Sequence, residues 1–381
     1  MFFNRNFDDF HLDIVGFLAI LGEGSVSVNY QVSTLSYFTF LPRLLPAPQA
    51  FMRPSRPIRL DDVPGTVVGI KSGNCRDHVY RIPHIILPGE NSMRISSDYS
   101  VRHFRISMKT DNPNVPLITA RTFGVLSLLA VLGCAMAIAL LGLSIHLNDG
   151  WALVATVLLS CLSSLLGIMC KWSLALRKRV TGPDNIPRGD VVISYPNGCF
   201  LIVECDEEIA RPLFFAPERC DYLLDGTWYR SLALLGTMML MFGVIALGNS
   251  GPRMQIAFGT AYLVLNAAYW IVGALPEKLH WDYSALNIEE LSPVLPEPEV
   301  KRSFGLALWI AIKLTRSTRW VRIGGVAPDT QAWDEWLKKA NDAANRRDGM
   351  DPDTWDYSAC LEECLDWYSD CEQKSDVRSM I

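Results

Sequence analysis

The sequence predicts an α-helical polytopic membrane protein with four transmembrane helices, arranged as two hairpins with a small αβ module between them. Half of the 381 residues are hydrophobic, 20% are charged, and the mean hydropathy is +0.17. Four uninterrupted apolar stretches are long enough to cross about 30 Å of hydrocarbon, which requires about 20 helical residues. Each hairpin has a very short connector, and an Asn-Gly turn between two apolar runs indicates the module.

Composition and charge exclude several other classes of protein. The 11 Trp, 12 Tyr and 16 Phe residues are too many for a disordered chain. The 26 glycines follow no three-residue period, which excludes a collagen-like chain. A net charge of -5 argues against a nucleic-acid partner, because binding to phosphates requires a basic surface. The partner that the composition indicates is the lipid bilayer.

The four predicted spans are 123–145, 151–170, 231–248 and 254–275. None of them contains Asp, Glu, Lys, Arg or His, so each can enter hydrocarbon without burying a charge. The fourth span is the least apolar, because Asn266 lies in its interior. An amide that faces lipid leaves its hydrogen-bonding groups unpaired, so we expect Asn266 to turn toward the bundle and make an intramembrane polar contact.

The distribution of Lys and Arg predicts the orientation, because positive residues flank the cytoplasmic ends of spans. Basic residues cluster before the first span and after the second: Arg102, Arg105, Lys109 and Arg121, then Lys171, Arg177, Lys178 and Arg179. Arg253 is the only Lys or Arg in the connectors 146–150 and 249–253. Both termini are therefore predicted to be cytoplasmic, in a multi-pass membrane protein of undetermined organelle. The short connectors also predict that each pair of helices packs as antiparallel neighbours.

This topology divides the chain into six regions. They are a cytoplasmic, partly disordered N-terminal region (1–120), the first hairpin (121–170), the cytoplasmic αβ module (171–230), the second hairpin (231–275), a cytoplasmic segment with an amphipathic helix (276–330) and an acidic C-terminal tail (331–381). The apolar run 14–21 is too short to span a membrane. The run 301–322 is suited either to lie on an anionic leaflet or to pack on the module.

Two strands joined by a tight turn are predicted inside the module. Asp190–Tyr195 and Cys199–Cys205 form the apolar runs, and the Pro-Asn-Gly sequence at 196–198 supplies the positive φ angles of a tight turn. Alternation is imperfect in both runs, so both faces are expected to be buried, with residues 306–312 as one neighbour. Asp206 is predicted to begin a short helix whose first turn is acidic.

Five segments resemble a family of multi-pass integral membrane proteins of filamentous fungi. They are PLITARTFGVLSLLAVLG, SYPNGCFLIVECDEEIARPLFF, WYRSLALLGTMMLMFGVIALGN, LNAAYWIVGALPEKLHWD and WVRIGGVAPDTQAWDEWL. The similarity covers roughly residues 115–345 and is one of overall pattern. The resemblance implies a fungal membrane protein and no particular activity, since the family has no functional residues to transfer.

The ten cysteines predict neither a disulfide framework nor a metal site. Cys360, Cys364 and Cys371 are spaced to share one face of a helix, but a zinc site would need a fourth ligand from a second segment. We therefore expect them to be buried on an apolar stripe. Cys170 lies beside Lys171 at the cytoplasmic end of the second span, where it is placed for S-palmitoylation.

Sequence signatures of catalysis are absent. The chain contains no GxxxxGK[ST], HExxH or GxSxG motif, so it predicts no catalytic residue, no cofactor and no metal ligand. A non-enzymatic scaffold, adaptor or regulator with cytoplasmic protein partners is the favoured function. A small-solute or ion transporter or channel is the first alternative, disfavoured because the spans lack ionisable residues. A membrane-bound lipid- or thiol-dependent enzyme is the second alternative.

Overall fold

The computed structural model describes residues 34–53, 55–87, 99–109, 116–121, 123–176, 188–291, 303–345 and 355–367. The chain forms two compact units, each assembled from three separate stretches. The helical unit comprises Met1–Arg59, Ile118–Ala175 and Arg219–Asp282, and the sheet unit comprises Leu60–Leu117, Leu176–Glu218 and Tyr283–Ile381. The apolar run at 14–21 and Cys371 lie outside the described residues.

The helices of the described residues are named in chain order. They are α1 Arg81–Ile86, α2 Val125–His146, α3 Gly150–Cys170, α4 Glu207–Ala210, α5 Gly226–Gly248, α6 Pro252–Gly273, α7 Phe304–Thr315, α8 Arg319–Ile323, α9 Gln331–Ala344 and α10 at 357–367. The strands are β1 Val63–Gly69, β2 Cys75–Val79, β3 Val101–Met108, β4 Thr119–Ala120, β5 Trp172–Ala175, β6 Val191–Ser194, β7 Phe200–Glu204, β8 Arg219–Tyr222, β9 Trp281–Asp282 and β10 Leu286–Leu291.

The prediction of four long apolar helices is confirmed. Helices α2, α3, α5 and α6 are each long and apolar enough to cross a membrane. The largest difference in bounds is at α5, which begins at Gly226 rather than at 231. The uncharged stretch starts after Arg230, whereas the helical hydrogen bonds start earlier, with the Tyr229 N–H donating to the carbonyl oxygen of Asp225.

The two connectors of the helical unit are joined by one carboxylate. Oδ1 of Asp149 accepts the N–H of Ala152 at 3.0 Å and so caps α3, while Oδ2 accepts the N–H of Gly251 at 2.7 Å. Near these connectors all four helices contribute to one buried cluster, which includes Leu140, Ala155, Ala246 and Phe258. Over their full lengths, α5 packs mainly on α3 and α6 packs mainly on α2.

The second hairpin therefore differs from the close antiparallel pair that its short connector predicted. A second buried cluster explains the difference, because it places side chains of residues 45–51 among all four helices. Leu45 and Phe51 lie there with Leu126 of α2, Leu166 of α3 and Tyr269 of α6. Residues 34–53, which we call the inserted segment, thus occupy space that a simple helical hairpin would close.

The sheet unit is built on a six-stranded sheet in the order β10-β3-β7-β6-β1-β2. Neighbouring strands are antiparallel except β3 and β7, which are parallel. The predicted hairpin is confirmed as β6 and β7, with Val191 opposite Val203 and Gly198 at φ +77° in the turn. The other four strands come from regions that were predicted as N-terminal chain and as the segment after the fourth span.

Helix α7 packs on one face of this sheet, as expected for residues 306–312. Gly305–Ile312 are all buried, and Leu306–Ile312 lie in one cluster with Val192, Phe200 and Ile202 of the hairpin. The helix is thus enclosed by protein on several sides and is not an amphipathic surface helix. Helices α9 and α10 complete this core, so these parts of the acidic region 331–381 are packed structure and not a solvated tail.

Candidate functional site

The four long helices expose many large apolar side chains, which together we call the apolar collar. Its members on α2 and α3 are Leu128, Val131, Leu132, Ile138, Leu143, Ile145, Val154, Val157 and Ile168. Its members on α5 and α6 are Leu234, Leu235, Met238, Met241, Phe242, Ile245, Leu263, Val264 and Ile271. Apolar surface on this scale is rare on soluble monomers, where it marks a site of contact with protein or membrane.

Exposed tryptophans lie at the ends of the same helices. Trp151 in the first turn of α3 is 57% exposed, and Trp228 near the start of α5 is 66% exposed. Trp270 in the last turn of α6 is 65% exposed. Trp151 is at the connector end of the helices, whereas the other two are at the opposite end. Two levels of Trp that flank an apolar surface match the aromatic belts of membrane proteins.

The inserted segment is bonded to the helices through its backbone. The N–H of Arg43 donates to Oγ of Ser163 at 2.9 Å, and the N–H of Leu44 donates to the carbonyl oxygen of Gly133 at 3.2 Å. Two glycines permit this approach: a Cβ atom at position 133 would lie 2.8 Å from the carbonyl oxygen of Leu44, and one at 167 would overlap the carbonyl of Thr39. The backbone N–H groups of the inserted segment are therefore hydrogen-bonded inside an otherwise apolar unit.

Arg43 places a guanidinium among these helices. The residue is 4% exposed, its Nη1 donates to the carbonyl oxygen of Phe38 at 3.0 Å, and its guanidinium lies beside the hydroxyl of Tyr269. Within the described residues, no carboxylate forms an ion pair with Arg43, and its Nε has no hydrogen-bond partner. A buried guanidinium that no described carboxylate neutralises is costly, which makes Arg43 the strongest functional candidate in the helical unit.

Two further cations fix the inserted segment and the chain that follows it. Nζ of Lys171 donates to the carbonyl oxygens of Leu35 at 2.8 Å and Ser36 at 3.2 Å, and burial lowers the pKa of this amine. Arg56 donates to the carbonyl oxygens of Met169 and Leu224, at 3.2 and 2.7 Å. Its guanidinium lies over the rings of two tyrosines, with centroid distances of 4.2 Å to Tyr222 and 4.5 Å to Tyr229. The adjoining cavity is about 10 Å³, which suits a single water.

The two residues singled out from the sequence both lie in the helical unit. Cys170 is buried and its Sγ lies 3.6 Å from the carbonyl oxygen of Phe51, so the thiol is covered by the inserted segment. Palmitoylation at Cys170 stays a prediction and would require this cover to open. Asn266 is half-buried on α6 and has an interaction partner.

The sheet unit holds a buried carboxyl group. Glu218 is 3% exposed, and its Oε1 accepts the N–H of Ile82 at 3.3 Å. Its Oε2 has no hydrogen-bond partner among the described residues. Burial, reinforced by the charge of Asp62, raises the pKa of Glu218 to about 7. In the part of the chain that the structure describes, no group of three or more His, Cys, Asp or Glu is placed to hold a metal ion.

The sheet unit also contains an open cleft of about 560 Å³. Its floor is a row of side chains across neighbouring strands, where Ser194 of β6 is opposite both Thr66 of β1 and Phe200 of β7. The turn 195–198 and the loop 324–326 form its walls, with Tyr99 and Phe304 beside them. Sequence reasoning missed this cleft, because its residues come from five separate stretches of chain.

No family model, no curated protein and no solved structure matches this chain. The features that bear on function are therefore the collar, the inserted segment and the cleft.

Proposed function

We propose that this chain is an integral membrane protein whose helical unit is an anchor and whose sheet unit binds partners, as a non-enzymatic scaffold, adaptor or regulator. The apolar collar is the observation that carries the proposal. Side chains such as Leu128, Phe242 and Ile271 are more than half exposed on helices of membrane-spanning length. Lipid acyl chains are the surroundings in which this surface costs nothing to expose.

The distribution of basic residues supports a cytoplasmic location for the sheet unit and both termini. Arg56, Lys171, Arg230 and Lys278 belong to the end of the helical unit opposite the connectors. The connectors themselves contain one Lys or Arg residue, Arg253. This asymmetry is the one that the positive-inside rule associates with a cytoplasmic end.

The packing of the inserted segment favours an anchor over a pore. Leu44, Leu45 and Phe51 fill the space among the helices, and the neighbouring backbone N–H groups are bonded to Ser163 and Gly133. A permeation path needs polar surface that solvent or solute can reach. Here the polar groups are used to hold protein to protein.

Membrane integration and orientation can be tested together. The full chain should stay with membranes after alkaline carbonate extraction. Glycosylation acceptors introduced into lengthened connectors at Asn148 or Ser250 should be modified, while acceptors within 180–225 or after 285 should not. The chain has no native Asn-x-Ser/Thr acceptor, so the background is clean. Release by carbonate, or modification within 180–225, would overturn the arrangement.

A transporter is the second candidate, and Arg43 is the observation that favours it. Ionisable residues buried among spans commonly mark ion or solute paths. If Arg43 serves transport, purified chain in proteoliposomes should carry an anion flux that Arg43→Gln abolishes while the variant remains folded. A chain that carries no flux of chloride, phosphate or small carboxylates would leave the anchor proposal as the better account.

The environment of Cys205 gives little support to a thiol-dependent enzyme. Burial, together with the charge of Asp190, raises the pKa of Cys205, so its thiol stays protonated near neutral pH. A nucleophilic cysteine needs the opposite environment, with a lowered pKa and access to substrate. The resemblance to a fungal membrane protein family stays a prediction.

A further inference from the structure

We propose that the cleft of the sheet unit binds a neutral, polyhydroxylated ligand of the size of a mono- or disaccharide. The inference rests on the proposed function only in treating the sheet unit as the binding part, and it does not depend on membrane anchoring. The volume of the cleft, about 560 Å³, lies inside the range of about 300–1,000 Å³ that is typical of small-molecule sites.

Two hydroxyl groups on the cleft floor are available to a ligand. Thr66 and Ser194 are directly opposite each other on β1 and β6, so their side chains lie on the same face of the sheet. Both are half-buried, and neither hydroxyl has a hydrogen-bond partner among the described residues. Adjacent hydroxyls, each able to donate and to accept, match the vicinal hydroxyls of a sugar ring.

An amide stands on the wall above these hydroxyls. Oδ1 of Asn197 accepts the N–H of Cys199 at 3.2 Å, which fixes the side chain in the turn. Its amide nitrogen retains two donors that this bond does not use. The polar groups of the cleft are thus held on a strand pair and a tight turn, which keeps them in place before a ligand arrives.

Aromatic rings supply an apolar surface beside the polar one. Phe304 at the start of α7 is half-buried and Tyr99 is 38% exposed, and both rings line the cleft. Phe200 is 1% exposed and packs against Phe304, with ring centroids 6.2 Å apart. A sugar ring has polar edges and C–H faces, so it can satisfy hydroxyl groups and pack on an aromatic ring at the same time. A purely apolar ligand would leave the hydrogen-bonding groups unpaired, and a purely polar ligand would not pack on the aromatic rings. The lining therefore favours a ligand with both kinds of surface.

The lining also argues for a neutral ligand. No Asp, Glu, Lys, Arg or His is among the described residues that line the cleft, so a charged ligand would be desolvated without compensation. The N-terminus of α7 adjoins the cleft through Phe304, but Oγ of Ser303 already accepts the N–H of Leu306 at 3.2 Å. Its capacity for an anion is reduced accordingly.

Binding can be measured on the full chain in lipid nanodiscs, which avoids detergents with sugar head groups. The probes are maltose and N,N′-diacetylchitobiose, with glucuronate and glucose 6-phosphate as charged comparators, detected by saturation-transfer difference NMR. The double variant Thr66→Val/Ser194→Ala removes both floor hydroxyls and keeps the strand backbone. We expect a neutral saccharide to bind and the double variant to bind it about tenfold more weakly, as the loss of two hydrogen bonds implies.

Ser107→Ala is the matched control. Ser107 lies on β3 of the same sheet, on the same face as Val101, and does not line the cleft. The Ser107→Ala variant should bind the saccharide as tightly as the parent chain does. The proposal is overturned if neither neutral saccharide binds, if the double variant binds as well as the parent, or if the charged comparators bind better than the neutral probes.

Discussion

The backbone N–H of Leu44 donates to the carbonyl oxygen of Gly133, a residue in the interior of α2. This contact holds the inserted segment against a helix that the sequence presents as a plain apolar span. It depends on the absence of a side chain at 133, because the nearest atoms to a Cβ there would be the Leu44 carbonyl oxygen at 2.8 Å and Cβ of Arg43 at 3.2 Å.

Replacing Gly133 should therefore displace the inserted segment. We expect Gly133→Leu to destabilise the helical unit by about 1–3 kcal/mol, the usual cost of overpacking. Thermal unfolding in detergent measures the loss, and peptide-level alkylation should show greater reactivity of Cys170, which the chain at Phe51 covers. Gly142→Leu is the control on the same helix, since nothing lies within 4 Å of a Cβ at 142. Equal effects of the two substitutions would contradict the packing role of Gly133.

Gly198 should be intolerant of a side chain for two reasons. Its φ of +77° is unfavourable for a β-branched residue, and a Cβ would lie 2.5 Å from the ring of Tyr99. Gly325 has a similar φ of +60° but no atom within 4 Å of a Cβ. Gly325→Val thus isolates the conformational cost, about 1–2 kcal/mol, and Gly198→Val should lose clearly more. Denaturant unfolding of the two variants under identical conditions tests the difference, and similar losses would show that Tyr99 adjusts freely.

Glu218 should make stability depend on pH in the neutral range. Its pKa in the folded protein is about 7, above the ordinary value of 4.5, so the folded state binds a proton that the unfolded state has lost. The stabilising contribution is complete below pH 4.5 and is lost as the pH rises through 7. The full loss is on the order of 3 kcal/mol.

The test compares the parent chain with Glu218→Gln, which keeps the shape of the protonated carboxyl group. Unfolding free energies measured between pH 5 and pH 8 should fall for the parent and stay flatter for the variant. At pH 8 the variant should be the more stable of the two, because no charge is buried. A parallel decline in both proteins would assign the pH dependence to other groups.

Local patterns predicted the elements that are stabilised by local sequence. The four long helices follow from uninterrupted apolar runs, and the β6–β7 hairpin follows from the Pro-Asn-Gly turn. The inserted segment could not be predicted in this way. Prolines and Arg43 interrupt its apolar residues, and its backbone partner Ser163 is 120 positions away in sequence.

The sheet and its cleft also could not be predicted from local sequence patterns. Strand β3 was recognised only as basic chain before the first span, because Arg102 and Arg105 interrupt its apolar residues. Arg105 pairs with Glu204, the residue opposite it on β7. Arg102 pairs with Glu290 of β10, whose opposite residue on β3 is Phe104, so only the three-dimensional register brings these charges together. Thr66 and Ser194 likewise become a pair of neighbouring hydroxyls through the β1–β6 register alone.

A substitution at Asn266 can distinguish a packing role from a transport role in the helical unit. The residue is half-buried on α6 and has an interaction partner, and its neighbour Tyr269 packs in the cluster that contains the inserted segment. We expect Asn266→Leu to insert normally and to lose about 0.6 kcal/mol, the average worth of a polar contact between membrane helices. Thr260→Val is the control, because Thr260 is exposed and its hydroxyl donates to the carbonyl oxygen of Ile256 in its own helix. Unfolding in detergent measures stability, and proteoliposome flux measures transport. An anion or solute flux that disappears in Asn266→Leu, with folding and abundance unchanged, would replace the anchor by the transporter.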